Sequence, residues 1–299
     1  MEFHLSLRFT RDGLVERGVS TFINEDAIRA GLRSASRGYG LPLGKVQAEM
    51  KGNTPMGGKQ ANNYFRLHTD RCDVITLMCV RKASHGGASR VCSAARIHNI
   101  MAQEHPWECA RLYRPYPRIW EGKDGFFSMP IWAVHKGRMT TQVSPSYIEN
   151  AQVMEKVPKL SEADIEAIDL IEETGLKESV EFVMEPGMVY WLNNHMVYHG
   201  RDAWSYSEAM AADATKVNNN RLMLRMWLSP YNSREIPSTE AYKLVWGSTA
   251  AGTPRGGLEP AAKSGLTPKA PELVKAIEAG TYTYYGLYKR KFGVDANTL

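Results

Sequence analysis

Cysteine is scarce in this 299-residue chain, which has Cys72, Cys79, Cys92 and Cys109 and no more. They form no C-x-x-C pair, and nothing in their spacing suggests a disulfide framework. Three sit in apolar or strand-like sequence, where cysteine serves as a small buried hydrophobe rather than a ligand. Long apolar runs are missing as well. No stretch approaches the ~18 apolar residues that a membrane span needs, which argues against a helical membrane protein. The opening residues Met1-Glu2-Phe3-His4-Leu5 lack a basic region followed by an apolar run. No signal peptide is therefore expected, and a reducing, cytoplasmic location follows as the default. Charge of one sign is not concentrated either. The formal net charge is +5, and the densest basic cluster, Lys289-Arg290-Lys291, is too short for a nucleic-acid footprint. Internal repeats and low-complexity segments are absent.

What is present is the composition of a globular enzyme: 43% apolar residues, 23% charged, and a generous seven Trp and fourteen Tyr. Such aromatic content suits a β-rich protein with a lined pocket. Asn24 reads as the N-cap of a first helix with Ile28 and Leu32 on one face. Residues 36–62 are rich in Gly, Lys, Gln and Asn without a clear period and read as a long loop, a binding loop or lid. From Tyr64 to Ser93 the pattern is strand-like. Asp73 to Val80 is a buried strand, Ser84-His85-Gly86-Gly87 a turn, and Ser89 to Ser93 another strand. Residues 131–134 and 138–143 flank His135-Lys136-Gly137 as a hairpin. The clearest helix runs from Ser161 to Thr174, with a capping box from Ser161 and Asp164 and Gly175 to close it. Val180, Phe182 and Met184 alternate, Glu185-Pro186-Gly187 turns, and Met188 to Leu192 and Arg221 to Ser229 are further strands. Beyond Pro230 come Gly-rich turns (Gly252 to Gly257) and a helix from Pro271 to Ala279. The expected fold is mostly β with flanking helices, in a single domain over 1–299. Its motif-bearing core spans about 60–230 and a helical and loop extension about 231–299.

Two histidines and a carboxylate stand out. In a strand, residues two apart point to one side, so His68 and Asp70 present an imidazole and a carboxylate together with Thr69 turned away. His199 follows a turn-bounded apolar strand, and Gly200 after it lets the backbone pass close to a ligand. Two histidines and one carboxylate form the facial triad that holds iron(II) with three positions open. His195 and His199 also make an H-x-x-x-H pair, the spacing of a helical zinc site. The surrounding Met188-Val189-Tyr190-Trp191-Leu192 is strand-like, however, and no Glu follows His195. His195 is instead a candidate for a substrate or supporting contact on the pocket face shared with His199.

With these residues in place, the chain resembles the taurine dioxygenase-like (TauD/TfdA) family of iron(II)/2-oxoglutarate-dependent dioxygenases. The resemblance rests on Leu67-His68-Thr69-Asp70, Gly86-Gly87-Ala88-Ser89, Tyr147-Ile148, Pro186-Gly187-Met188, Asn193-Asn194 with His199-Gly200-Arg201, and Arg221-Leu222-Met223-Leu224-Arg225. It implies a double-stranded β-helix (jelly-roll, cupin-like) core with His68, Asp70 and His199 as iron ligands. It also implies Arg221 as the clamp on the distal carboxylate of 2-oxoglutarate, with the Ser89 hydroxyl on the same group. A planar guanidinium suits that task because it bonds a carboxylate in bidentate fashion. Arg225, four residues on along the same strand face, either meets an anionic substrate or supports Arg221. Tyr64 joins His195 and Arg225 as a substrate-contact candidate. Asp202–Asn220 is longer than the family's spacing, so the division of labour between Arg221 and Arg225 stays open.

The implied cofactors are Fe(II), 2-oxoglutarate and O2. The implied reaction is oxidation of an unactivated C–H bond of a small molecule with release of succinate and carbon dioxide. Hydroxylation comes first, with desaturation or ring formation as variants, and the presence of Asp70 disfavours halogenation. A carboxylate-bearing molecule or a natural-product intermediate is the favoured substrate class, with neither nucleic acid nor membrane as a partner. The alternatives are a cupin-like metal-dependent hydrolase or isomerase, which would need a general base beside the metal, and a non-catalytic 2-oxoglutarate-binding protein.

Overall fold

In a computed structural model, the described residues are 64–119, 126–205 apart from 153 and 155, and 221–255 apart from 231 and 254. The backbone of five short strands between residues 7 and 55 is described as well. Those strands are β1 (Leu7–Thr10), β2 (Gly13–Val15), β3 (Gly44–Gln47), β4 (Met50–Lys51) and β5 (Thr54–Pro55). Then follow β6 (Phe65–His68), β7 (Val74–Arg81), β8 (His85–Gly86), β9 (Ser89–Ser93), α1 (Ala94–Glu104) and α2 (Pro106–Arg111). The middle of the chain gives β10 (Pro115–Ile119), β11 (Phe126–Pro130), β12 (Trp132–His135), β13 (Arg138–Thr141), α3 (Pro145–Ala151) and α4 (Glu162–Glu178). The last elements are β14 (Val180–Phe182), β15 (Met188–Asn193), β16 (Val197–Arg201), β17 (Trp204–Ser205), β18 (Leu222–Leu228) and α5 (Glu240–Trp246). The helix at Asn24, residues 206–220 and the helix at Pro271 lie outside the described residues.

Two antiparallel sheets carry the architecture. The larger has the order β2-β1-β15-β7-β18-β3, the smaller β14-β9-β16-β6. The period-2 alternation of their strands sends one set of side chains between them. Ile75, Leu77 and Cys79 from β7, Tyr190 and Leu192 from β15 and Met223 from β18 form one buried cluster with Val91 of β9. The two sheets therefore face each other across an apolar layer. On the other face of the smaller sheet, Leu67, Cys92 and Tyr198 pack with Ile97 and Met101 of α1 and with Ala167, Ile168 and Ile171 of α4. Each fully buried aliphatic side chain contributes about 1.5–3 kcal/mol, so this helical cover secures the sheet that bears the two site histidines.

Local details explain where sequence expectations hold and where they shift. α4 starts with the expected capping box: the Ser161 hydroxyl accepts from the Asp164 amide at 3.2 Å, and the Asp164 carboxylate accepts from the Ser161 amide at 3.1 Å. It does not end at Gly175 but runs on to Glu178. Gly175 is there for packing, since a Cβ would press into the Leu67 and Ile97 side chains. The β12–β13 hairpin turns on Lys136 and Gly137, both at positive φ, the conformation that two-residue hairpin loops demand. The expected long loop at 36–62 instead contains β3, β4 and β5, and β3 pairs with β18. In the extension, Tyr242, Val245 and Trp246 of α5 bury against Met129 and Ile236. Among the described residues, no helix is long and apolar enough to cross a membrane.

Candidate metal centre

His68 closes β6 and His199 sits within β16, and the two are direct cross-strand partners. Both lie on the side facing the larger sheet, because His199 is also opposite Val91. Their ring centroids are 4.2 Å apart. Asp70 joins them by a different route from the one its spacing suggests. β6 ends at His68, so strand alternation does not carry Asp70. It lies in the following loop, which Asn194 clips from the turn between β15 and β16. The Asn194 carboxamide accepts from the Asp70 amide at 3.1 Å and donates to the Asp70 and Cys72 carbonyls, the latter at 2.9 Å. Thr69 is turned away as expected, its hydroxyl accepting from the Val143 amide at 2.9 Å. One ligand atom from each of His68, Asp70 and His199 lies within 4.8 Å of the other two.

The electrostatics suit a cation. His68 Nδ1 donates to the Arg66 carbonyl at 2.8 Å, which fixes the tautomer and leaves the Nε2 lone pair for a metal. Burial lowers the His68 pKa. Burial, with the neighbouring His68 and Arg225 in support and Asp70 opposing, takes His199 down to about 3. For Asp70, burial alone would raise the pKa, but the Arg225 guanidinium, both imidazoles and a Trp227 hydrogen bond bring it to about 2. At neutral pH the site is therefore two neutral imidazoles and one ionised carboxylate, the protonation state a divalent metal requires. His199 Nδ1 is buried without a hydrogen bond among the described residues, and His199 Nε2 stands 4.0 Å from Asp70 Oδ2, beyond hydrogen-bond reach. A buried polar group left so is costly unless a ligand completes it. Donor types, protonation and this orphaned imidazole all fit iron(II).

Arg225 and Trp227, alternate residues of β18, reach the same oxygen. Arg225 Nη1 donates to Asp70 Oδ2 at 3.0 Å and Trp227 Nε1 donates to it at 2.8 Å. The guanidinium lies over the Trp227 ring at 4.6 Å. Arg221, just ahead of β18, is buried, and burial lowers its pKa. It runs beside the Gly86-Gly87 turn. Gly87 has φ +77°, and a Cβ there would sit 3.5 Å from Arg221 Nε and 3.2 Å from Trp204 Cβ. Ser89 is buried at the start of β9, on the same strand face as Val91 and opposite Arg201.

Two residues expected at the substrate are hydrogen-bonded within the fold. The Tyr64 hydroxyl donates to Glu172 of α4, part of a buried network with Arg66, so it is committed to the helical cover. His195 has both ring nitrogens engaged, Nε2 with Asp73 Oδ1 at 2.7 Å and Nδ1 with the Thr140 hydroxyl at 2.7 Å, and it stacks on Trp246. It is a buried structural residue, with no nitrogen left to offer a substrate. Gly200 does allow a close approach, but to the Phe65 carbonyl of β6, 2.8 Å from where its Cβ would be. Asn194 and Trp227 are the site residues that sequence reasoning missed. Trp227 is the next same-face position after Arg225, whereas Asn194 appears in the sequence only as part of the resemblance, with no pattern to show that it holds Asp70.

Comparison with known proteins gives the chain a family. The pattern of the family "Taurine catabolism dioxygenase TauD, TfdA family" matches residues 25–227. FR-33289 synthase of Streptomyces rubellomurinus is 26% identical over 240 residues, covering 76% of this chain and 68% of that protein. The taurine hydroxylase-like protein SAT17 of Stachybotrys chartarum is 25% identical over 211 residues, covering 64% and 52%. The chain thus spans about two thirds of the first relative and about half of the second. Among solved structures, an asparagine oxygenase in complex with Fe(II), 2S,3S-3-hydroxyasparagine and succinate aligns at 14% identity. Its TM-score is 0.49, and the alignment covers 62% of this chain and 56% of that one. The chain belongs to the taurine catabolism dioxygenase TauD, TfdA family and is an iron(II)/2-oxoglutarate-dependent oxygenase.

Proposed function

We propose that the protein hydroxylates an unactivated C–H bond of a small molecule, with desaturation or ring closure as the variant outcomes. The observation that carries this reading is the meeting of His68, Asp70 and His199, one ligand atom from each lying within 4.8 Å of the other two. In this reading the three side chains hold iron(II). Arg221 binds the distal carboxylate of 2-oxoglutarate with the Ser89 hydroxyl beside it, and Arg225 secures Asp70. The two facing antiparallel sheets support a double-stranded β-helix as the scaffold.

When bound, iron(II) with 2-oxoglutarate and O2 supplies the oxidising chemistry, yielding succinate and carbon dioxide. The chain's own contribution is placement and exclusion of water. His68 and His199 are held by adjacent strands, Asp70 is held by the Asn194 clip, and Arg221 is desolvated so that its bond to a carboxylate is strong. No general acid or base is required. The names of the relatives, a synthase of FR-33289 and a taurine hydroxylase-like protein, support a natural-product intermediate or a small acidic molecule as substrate.

The test begins anaerobically: iron(II) and 2-oxoglutarate together should give a weak visible charge-transfer band. A succinate-release screen over amino acids, small acids and biosynthetic intermediates then seeks the substrate, with mass spectrometry for a gain of one oxygen or a loss of two hydrogens. Full turnover by His199→Ala would refute the ligand assignment.

A further inference from the structure

We infer that Trp227 is a positioning residue for the metal centre, its indole N–H pinning the Asp70 carboxylate through Oδ2 so that the group is held in one orientation toward the metal. The inference rests on the reading of Asp70 as a ligand given above. Two donors converge on one carboxylate oxygen, the Trp227 indole at 2.8 Å and the Arg225 guanidinium at 3.0 Å. Among the described residues, Asp70 Oδ1 makes no hydrogen bond. Arg225 alone would be an imprecise anchor, because its long side chain has several rotatable bonds. Trp227 corrects this twice, by bonding the oxygen itself and by carrying the guanidinium on its ring face at 4.6 Å. An indole N–H is a donor only, without charge and without a lone pair for a metal. It can therefore fix a ligand oxygen at every pH and never compete for the cation.

Strand geometry makes the pair possible. In the antiparallel register of β18 against β7, Arg225 lies opposite Leu77 and Trp227 opposite Ile75. The period of two sends both side chains to the inter-sheet side, under the loop that leads from Asp70 into β7. The consequence is a coordination count. Of six positions around iron(II), two imidazoles and a monodentate carboxylate leave three, enough for a chelating keto acid and O2. A carboxylate free to rotate and bind through both oxygens would leave two. Trp227 thus guards the open positions without touching substrate.

The test compares the wild-type protein with Trp227→Phe, which keeps a ring under Arg225 but deletes the N–H, and uses iron(II) alone and then iron(II) with 2-oxoglutarate under anaerobic conditions. We expect metal affinity to fall about tenfold and the charge-transfer band to shift, with the melting temperature of the metal-free protein little changed. Equal metal affinity and an identical band in the two proteins would overturn the inference, as would a lowered melting temperature with both unchanged. Should the wild-type protein itself give no band, the metal-centre reading fails instead, and the two failures are distinguishable. A metal-free measurement stands behind the variant. The Trp227 indole proton should exchange slowly with solvent in the wild-type protein and faster in Asp70→Ala, and equal rates would count against the pinning.

Discussion

Two aspartates three residues apart, Asp70 and Asp73, meet nearly the same set of partners to opposite effect. Asp73 receives His195 at 2.7 Å, Arg255 through Nε at 3.0 Å and Nη2 at 2.8 Å, and the Ser229 hydroxyl at 3.0 Å. Both of its oxygens and both nitrogens of its histidine are satisfied, and burial seals the network. Asp70 also has an arginine and two histidines near it, but its donors crowd one oxygen and neither histidine bonds it. Identical side-chain chemistry yields a structural staple where every valence is closed and a candidate metal centre where valences are left over. The unfilled bonding capacity, more than residue type, marks the site.

The sharpest way to break this comparison is to delete each aspartate. Asp70→Ala, like His68→Ala, should abolish substrate-dependent succinate formation while the melting temperature barely moves. Asp73→Ala should do the reverse. Leaving Arg255 buried without its counter-ion costs about 3–5 kcal/mol, so the denaturation midpoint should fall steeply while the iron–2-oxoglutarate band persists in whatever folds. Loss of the band in Asp73→Ala without loss of stability would show that the two aspartates are one unit.

Arg221→Ala comes next. Removing a buried guanidinium from a carboxylate forfeits about 1.5–3 kcal/mol for each charged hydrogen bond, so the KM for 2-oxoglutarate should rise at least about tenfold, read from initial rates. An unchanged KM would move the clamp elsewhere. Gly87→Ala should act in the same direction but less, because it strains a backbone at φ +77° and crowds Trp204 and Arg221.

The smallest effect expected is in pH dependence, and it contrasts Glu149 with Asp73. Burial pushes Glu149 up to about 7 despite its bond to Arg66. A carboxyl raised in the folded state contributes stability that is fully present below its ordinary value of 4.5 and is lost as pH rises through about 7. Asp73 is lowered in spite of burial by His195 and Arg255, so its contribution is present above 3.8 and is lost in acid. Melting temperatures from pH 4 to 8 should decline toward the alkaline end, and Glu149→Gln should flatten that slope. A slope unchanged by the substitution would assign it to other groups.

Much of this was legible in the sequence because the relevant forces are local. Apolar patterning marked β7, β9, β12 to β15 and β18, but not β8, β10, β11, β16 or β17, and Ser161 with Asp164 announced the start of α4. The three metal-binding candidates were visible as residue types, although only His68 closes a strand, Asp70 lying in the loop after it and His199 within β16. What escaped depended on distant chain meeting chain. Asn194 holds Asp70 across more than a hundred residues of sequence, and no local rule marks such a clip. Tyr64 and His195, candidates for substrate contact in the sequence, have partners that no local pattern marks. Tyr64 bonds Glu172, and His195 bonds Asp73 and Thr140. α1 was there to be read: Ser93 caps it, and Ala94, Ile97 and Met101 repeat at helical spacing.

The bond between Arg255 and Asp73 has a consequence for how the protein comes into being. A ribosome delivers the Asp73 carboxylate, just ahead of β7, early, yet the guanidinium that pairs with it emerges nearly two hundred residues later. The last portion of the described chain therefore acts as a latch, and a polypeptide cut short of residue 255 would leave an unbalanced buried charge three positions from Asp70.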